Sequence, residues 1–177
     1  MADGLQCMRR ALAAQGLRLH EPAGQDGRRC QILAYIDQAE TSGCWPFGFI
    51  DVDSAEAGMI GWLQAHANDV SVTAVEGDAG RLSRLSDAWI PKEISDIVNR
   101  CPRAWGDHIT LVALLGWTHE TYNILAAADV TRMCGRIDEV TVPGIEIGPA
   151  VHRFRLAYTG NHYLSIVPLA RCAVCPV

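Results

Sequence analysis

At 177 residues, 49% of them hydrophobic, the chain is long enough to bury one substantial core and is expected to form a single domain spanning residues 1–177. A net charge of -5, with charged residues at 20%, argues against the basic footprint needed to bind nucleic acid or an anionic membrane surface. No run approaches transmembrane length, and Met1-Ala2-Asp3-Gly4 lacks the cationic start and apolar stretch of a signal peptide. The expected setting is therefore cytoplasmic, a reducing cytosol of the source cell or, for a delivered effector, of a host.

In chain order, the first segment, from about Leu5 to Gln15, carries Leu5, Met8 and Leu12 on one helical stripe, and Gly16 stops it. Leu17 to Leu19 reads as a short extended piece leading into the turn Glu21-Pro22-Ala23-Gly24-Gln25-Asp26-Gly27. After Cys30, the residues Ile32, Leu33, Ile36 and Ala39 recur at helical spacing and predict a largely buried helix. Residues 43–52 read as a loop. Asp53 with Glu56 three positions on has the form of a capping box for a helix to about Ala67, with Met59, Ile60 and Leu63 inward. Arg81 to Trp89 reads as a variable, partly helical arm. Pro91 suits the first turn of a helix with Ile94, Ile97 and Val98 on its apolar face. Asp107 is expected to cap a further helix bearing Ile109, Leu111, Val112, Leu114 and Leu115.

The last third changes character. Tyr122 to Ala126, Ile137 to Val142, Val151 to Tyr158 and His162 to Val167 read as strands, and in the third Phe154, Leu156 and Tyr158 alternate with Arg153 and Arg155. Tyr158-Thr159-Gly160-Asn161 is expected to be a tight hairpin turn. Helices first and strands last predict an α+β (mixed α/β) fold, a small central sheet packed between helices.

Seven cysteines, an odd count at irregular spacing, argue against a disulfide framework. Cys172 and Cys175 form a C-x-x-C without a matching second pair, and no metal or organic cofactor is expected. Cys7, Cys44, Cys101 and Cys134 are read as packing residues. Cys30 stands apart because it follows a glycine-containing turn and opens a helix, where aligned peptide dipoles and unpaired N–H groups favour negative charge on sulfur. Arg28 and Arg29 add positive charge beside it. More than a hundred residues later, Thr159-Gly160-Asn161-His162-Tyr163 leads into a strand. A histidine brought against that sulfur can take its proton and later return it to a leaving amine.

Three blocks together resemble the ovarian-tumour (OTU) domain cysteine proteases, a family of deubiquitinases. Asp26-Gly27-Arg28-Arg29-Cys30 with Gln31-Ile32-Leu33-Ala34 is similar to the family's Asp-Gly-x-Cys turn and apolar helix. Trp105-Gly106-Asp107 and the helix after it are similar to its Trp-Gly-x block. Leu156-Ala157-Tyr158-Thr159-Gly160-Asn161-His162-Tyr163 is similar to its closing hairpin. The resemblance implies an OTU-like fold and acyl transfer. Cys30 would attack the carbonyl after the C-terminal glycine of ubiquitin, with His162 as general base and then acid. Main-chain N–H groups around Gly27, Arg28, Arg29 and Cys30 would form the oxyanion hole. Tyr158, Asn161, Trp62 and Trp89 are the residues expected to contact substrate. The implied partner is ubiquitin or polyubiquitin, and the protein is expected to be a monomer.

Two departures from the family pattern bear on the site. Arg28 and Arg29 make two residues between glycine and cysteine where the family has one. Two positions after the histidine, where the family often carries Asp or Asn to hold the imidazole, stands Leu164. Asp26 is read as the orienting acid in its place, with Asn161 a second option. These departures keep other readings open: a catalytically weak or inactive OTU-fold ubiquitin-binding module, or a related protease acting on a polyprotein or another ubiquitin-like modifier.

Overall fold

A computed structural model describes residues 2–23, 29–43, 50–66, 95–99, 108–142, 145–146, 148, 151–160 and 162–169. Four helices and five strands are formed there: α1 (Ala2–Ala13), β1 (Leu17–His20), α2 (Cys30–Thr41), α3 (Val52–Ala65), α4 (His108–Tyr122), β2 (Ala126–Arg132), β3 (Ile137–Val140), β4 (His152–Tyr158) and β5 (Tyr163–Pro168). Residues 95–98 add a helical turn that buries Ile97, as its apolar pattern predicts. The expected loop residues 44–49, the arm at 81–89, Pro91, Ile94 and the Trp105-Gly106-Asp107 helix start lie outside the described residues.

The strands form one sheet in the order β1-β5-β4-β2-β3. Only β2 and β4 run parallel; the other neighbours are antiparallel. One face carries Ala128, Val130, Phe154, Leu156 and Tyr163 into the main core, against α2, α3 and α4. The opposite face carries Ala157, Leu164 and Ile166 against Met8 and Leu12 of α1. This is the expected α+β arrangement with the sheet between helices. Among the described residues no helix is long and apolar enough to cross a membrane.

Helix α4 is buried all round. Besides Ile109, Leu111, Val112, Leu114 and Leu115, it hides Thr110, Ala113, Gly116 and Thr118. Thr118 Oγ1 donates to Leu114 O at 2.7 Å and lies 2.7 Å from the Tyr35 hydroxyl, so the interior hydroxyls are hydrogen-bonded. Helices α3 and α4 interlock through glycine. A Cβ on Gly116 would stand 2.3 Å from the Trp62 ring, and one on Gly58 would stand 2.2 Å from the Trp117 ring. Each helix thus gives up a side chain to admit the other's indole.

The largest departure from expectation is at the second strand. Tyr122 ends α4, and the extended segment begins only at Ala126 and runs to Arg132. Asn123 is the reason: with φ of 55° it takes the left-handed conformation that closes helices, its N–H bonding His119 O at 2.8 Å. Ala126, Ala127 and Ala128 then pass through the middle of the sheet fully buried, where their small size serves close packing although alanine is a poor strand former. The cap of α3 also differs. Asp51, not Asp53, accepts from Ser54 N–H at 2.8 Å, and Asp53 and Glu56 face elsewhere. Cys7 and Cys134 are exposed, contrary to the packing role expected of them, because Cys7 lies off the Met8–Leu12 stripe and Cys134 sits in the β2–β3 turn. They border a cleft of about 610 Å³ beneath α1, on the far side of the sheet from α2.

Gln38 joins α2 to the sheet. The β4–β5 ladder pairs Leu156 with Ser165, Ala157 with Leu164 and Tyr158 with Tyr163. At the next level Gln38 enters between the strands: its Oε1 accepts from Arg155 N–H at 2.7 Å and its Nε2 donates to Ile166 O at 2.9 Å. Nε2 also donates to Ser165 Oγ at 2.7 Å. The side-chain amide stands in for a missing rung of backbone. Replacing Gln38 by Leu strips one buried and one partly buried main-chain group of their partner and should cost about 1 to 4 kcal/mol, read from urea unfolding.

The β2–β3 hairpin is held by charge. Burial of the Asp138 carboxylate raises its pKa, but hydrogen bonds from Arg132 and Arg136, both at 2.6 Å, outweigh that and leave it below its ordinary value of 3.8. A carboxylate lowered in the folded state stabilises above its unfolded pKa and loses that contribution as pH falls through the folded one. Asp138→Asn should therefore flatten the acid side of the stability–pH curve below about pH 4, checked by thermal unfolding across pH.

Candidate active site

Cys30 is the first residue of α2, and its side chain is only 3% exposed. The helix above it is fixed by burial of Gln31, Ile32, Ala34, Tyr35, Ile36, Gln38 and Ala39 against the sheet and α4, so its first turn has a rigid support. Tyr35 packs edge-on to Phe154 of β4, with centroids 4.9 Å apart. Below Cys30 comes the start of β5: the main-chain N–H of Tyr163 donates to Cys30 Sγ at 3.5 Å. That nitrogen is bonded to the carbonyl carbon of His162, so the sulfur lies against the main chain where His162 joins Tyr163.

The turn before His162 is the expected tight one. Thr159 N–H donates to His162 O at 3.0 Å, and Gly160 has φ of 99°, which glycine adopts without strain. The hydroxyl of Tyr158 donates to Gly160 O within the turn. The ring of Tyr158 lies between Tyr163, with centroids 4.9 Å apart, and the Arg132 guanidinium, 4.8 Å from its centroid. The His162 side chain is 25% exposed, and its Nε2 lies 3.4 Å from Glu21 Oε1. That is ion-pair range but without hydrogen-bond alignment, and this buried nitrogen has no hydrogen-bond partner among the described residues.

Arg29 does not supply the unopposed positive charge beside the sulfur that its position suggests. Its guanidinium is turned to α3, Nη1 at 2.9 Å from Asp53 Oδ1 and Nη2 at 2.7 Å from Glu56 Oε2. The second contact is a short-range charge contact. The Glu56 side chain is 7% exposed, so the pair sits largely out of water. The acids expected to cap α3 instead clamp the residue preceding Cys30.

No protein-family model and no curated protein matches the sequence. Solved structures match its fold. An OTU deubiquitinase from Wolbachia pipientis wMel superposes with a TM-score of 0.51 at 9% identity, covering 90% of this chain and 93% of that one. The OTU domain of OTUD1 superposes with a TM-score of 0.51 at 14% identity, covering 92% and 93%. The chain has the OTU-domain fold.

On this OTU fold, the residues singled out from sequence fall into three groups. Cys30 at the head of α2 meets the main chain of Tyr163, the residue after His162, while Arg29 turns to α3 and Tyr158 packs on Tyr163. Trp62, expected to contact substrate, is instead packed against Gly116, with its Nε1 donating to Glu120 Oε1 at 2.9 Å and its ring stacked 4.3 Å from His66. Asp26, Gly27, Arg28, Asn161 and Trp89 lie outside the described residues. Glu21, which the sequence pattern does not single out, lies 3.4 Å from His162 Nε2. Its only signal in the sequence is an acid at the end of an extended segment just ahead of the cysteine turn, readable once that segment is known to pair with the strand after His162.

The Arg29 clamp has a measurable consequence. Arg29→Met takes a counter-charge 2.7 Å away from a nearly buried carboxylate, and should destabilise the fold by about 1 to 3 kcal/mol, less than for a fully buried pair because Arg29 is partly exposed. Glu56→Gln in the same background should recover part of that loss, as a double-mutant cycle by urea unfolding will report.

Proposed function

We propose that this chain is a cysteine hydrolase of the deubiquitinase type, cutting the isopeptide or thioester bond after the C-terminal glycine of ubiquitin. The observation that carries the reading is the 3.5 Å contact from Tyr163 N–H to Cys30 Sγ, which couples the head of a buried helix to the residue following His162. The OTU fold shared with deubiquitinases supports it.

In this reading His162 takes the Cys30 proton, and the thiolate attacks the scissile carbonyl. The tetrahedral oxyanion is held by main-chain N–H groups of the turn from Gly27 to Cys30. Collapse breaks the C–N bond, and the imidazolium gives its proton to the departing lysine amine, leaving a Cys30 thioester. Water, deprotonated by His162, then releases the ubiquitin carboxylate and restores the thiol. Tyr158 and Asn161 are proposed to wall the channel for the glycine-ended tail, and Trp89 to contact ubiquitin. The activity would operate in a reducing cytosol, the cell's own or a host's.

One observation favours a second reading. Cys30 is 3% exposed, and a sulfur so covered fits a module that binds ubiquitin without cutting it. Ubiquitin bearing an electrophile at its C-terminus separates the two. The hydrolase captures it covalently at Cys30, Cys30→Ala abolishes capture, and His162→Ala slows it by about 100- to 10,000-fold. Saturable binding without capture would establish the module instead, and capture of a probe built on another modifier but not of ubiquitin would reassign the substrate.

A further inference from the structure

The hydrolase reading leaves the imidazole without an orienting group on its own strand, since the side chain two residues beyond His162 is Leu164, buried under α1. We infer that Glu21, on the neighbouring strand, is the positioning residue for His162. The inference rests on that reading of Cys30 and His162, and on three observations about the chain end of β1.

The first is register. β1 pairs antiparallel with β5, Leu19 opposite Ile166 and His20 opposite Ser165. Glu21 is the next residue of the chain, so the pairing carries it along β5 toward the end at which His162 precedes Tyr163. The second is contact: Glu21 Oε1 is 3.4 Å from His162 Nε2, a buried ring nitrogen with no hydrogen bond among the described residues. A buried donor left unsatisfied is costly, and the Glu21 side chain, 67% exposed, needs only a small rotation to close the gap. The third is anchorage. His20 Nδ1 lies 3.1 Å from Asp37 Oδ2 of α2, which pins the strand end and so delivers the next residue to a defined place.

The chemistry follows from the two ring nitrogens. With Nε2–H donating to the Glu21 carboxylate, the neutral ring carries its lone pair on Nδ1, the nitrogen left to serve the sulfur. When the ring takes the Cys30 proton, the same carboxylate stands beside the imidazolium. Glu21 touches neither substrate nor sulfur; it acts through the histidine.

The test compares the full chain with Glu21→Ala and Glu21→Gln, after thermal unfolding has shown equal midpoints. Against a ubiquitin substrate with a fluorescent C-terminal leaving group, Glu21→Ala should lower kcat roughly ten- to a hundredfold with KM unchanged, well short of the roughly ten-thousandfold loss seen for a fully buried triad acid. Glu21→Gln keeps an acceptor oxygen and should recover much of the rate. In nitrogen-15 NMR spectra the His162 Nε2 resonance should move in Glu21→Ala and less in Glu21→Gln. If the parent chain turns over substrate and Glu21→Ala matches it in kcat and in the His162 spectrum, the positioning role is overturned while the hydrolase reading stands. If the parent chain has no activity, that reading fails. The His162 spectrum and the rate of Cys30 alkylation by iodoacetamide then decide the pairing: a change in Glu21→Ala supports it, and no change overturns it.

Discussion

The organisation of this molecule depends on how one helix is seated on one pair of strands. Gln38 fills a gap in the β4–β5 ladder with a side-chain amide that reads both edges, accepting from Arg155 N–H and donating to Ile166 O. Only glutamine does this: leucine offers no polar atoms, and glutamate, although isosteric, would set a carboxylate oxygen against the Ile166 carbonyl. Two turns earlier on the same helix, Cys30 Sγ meets Tyr163 N–H at the far end of the hairpin. With both ends of α2 fixed to β5, its first residue cannot move independently of the residues around His162. The apolar face of α2 supplies most of the burial energy, whereas these two polar contacts determine where along the strands it rests.

The electrostatics near the helix head follow the same economy. An arginine immediately before a cysteine suggests a charge donated to the sulfur, yet the guanidinium turns outward to two acids of α3. Its contribution to the site is therefore mechanical. By tying residue 29 to α3 it makes the start of α2 a joint between two helices, not a frayed terminus. The interlocked glycines and indoles of α3 and α4 extend that rigidity one layer deeper.

Much of this was legible in the sequence wherever a local pattern carried it. The spacing of Ile32, Ile36 and Ala39 marked α2, and the alternation of Phe154 and Leu156 with two arginines marked β4 and its buried face. The hairpin turn before His162 was readable from Thr159 and Gly160. Features set by distant partners were not. Asp53 and Glu56 spell a capping box, but Arg29, more than twenty residues upstream, takes both carboxylates, and Asp51 caps instead. Ala126 to Ala128 spell no strand because alanine is chosen there for the room it leaves. Gln38 reads as an ordinary polar residue on a helix, and Glu21 as a loop acid, until the pairing of β1 with β5 brings residues far apart in sequence together.

One feature of the site does not depend on any side chain. The group that meets the Cys30 sulfur is a main-chain N–H, present whatever residue occupies position 163 so long as it is not proline. Drift at that position can alter the ring that packs against Tyr158 without erasing the junction between helix and hairpin. Divergent descendants of this chain would be free to recolour the walls of the cleft while inheriting its seam intact.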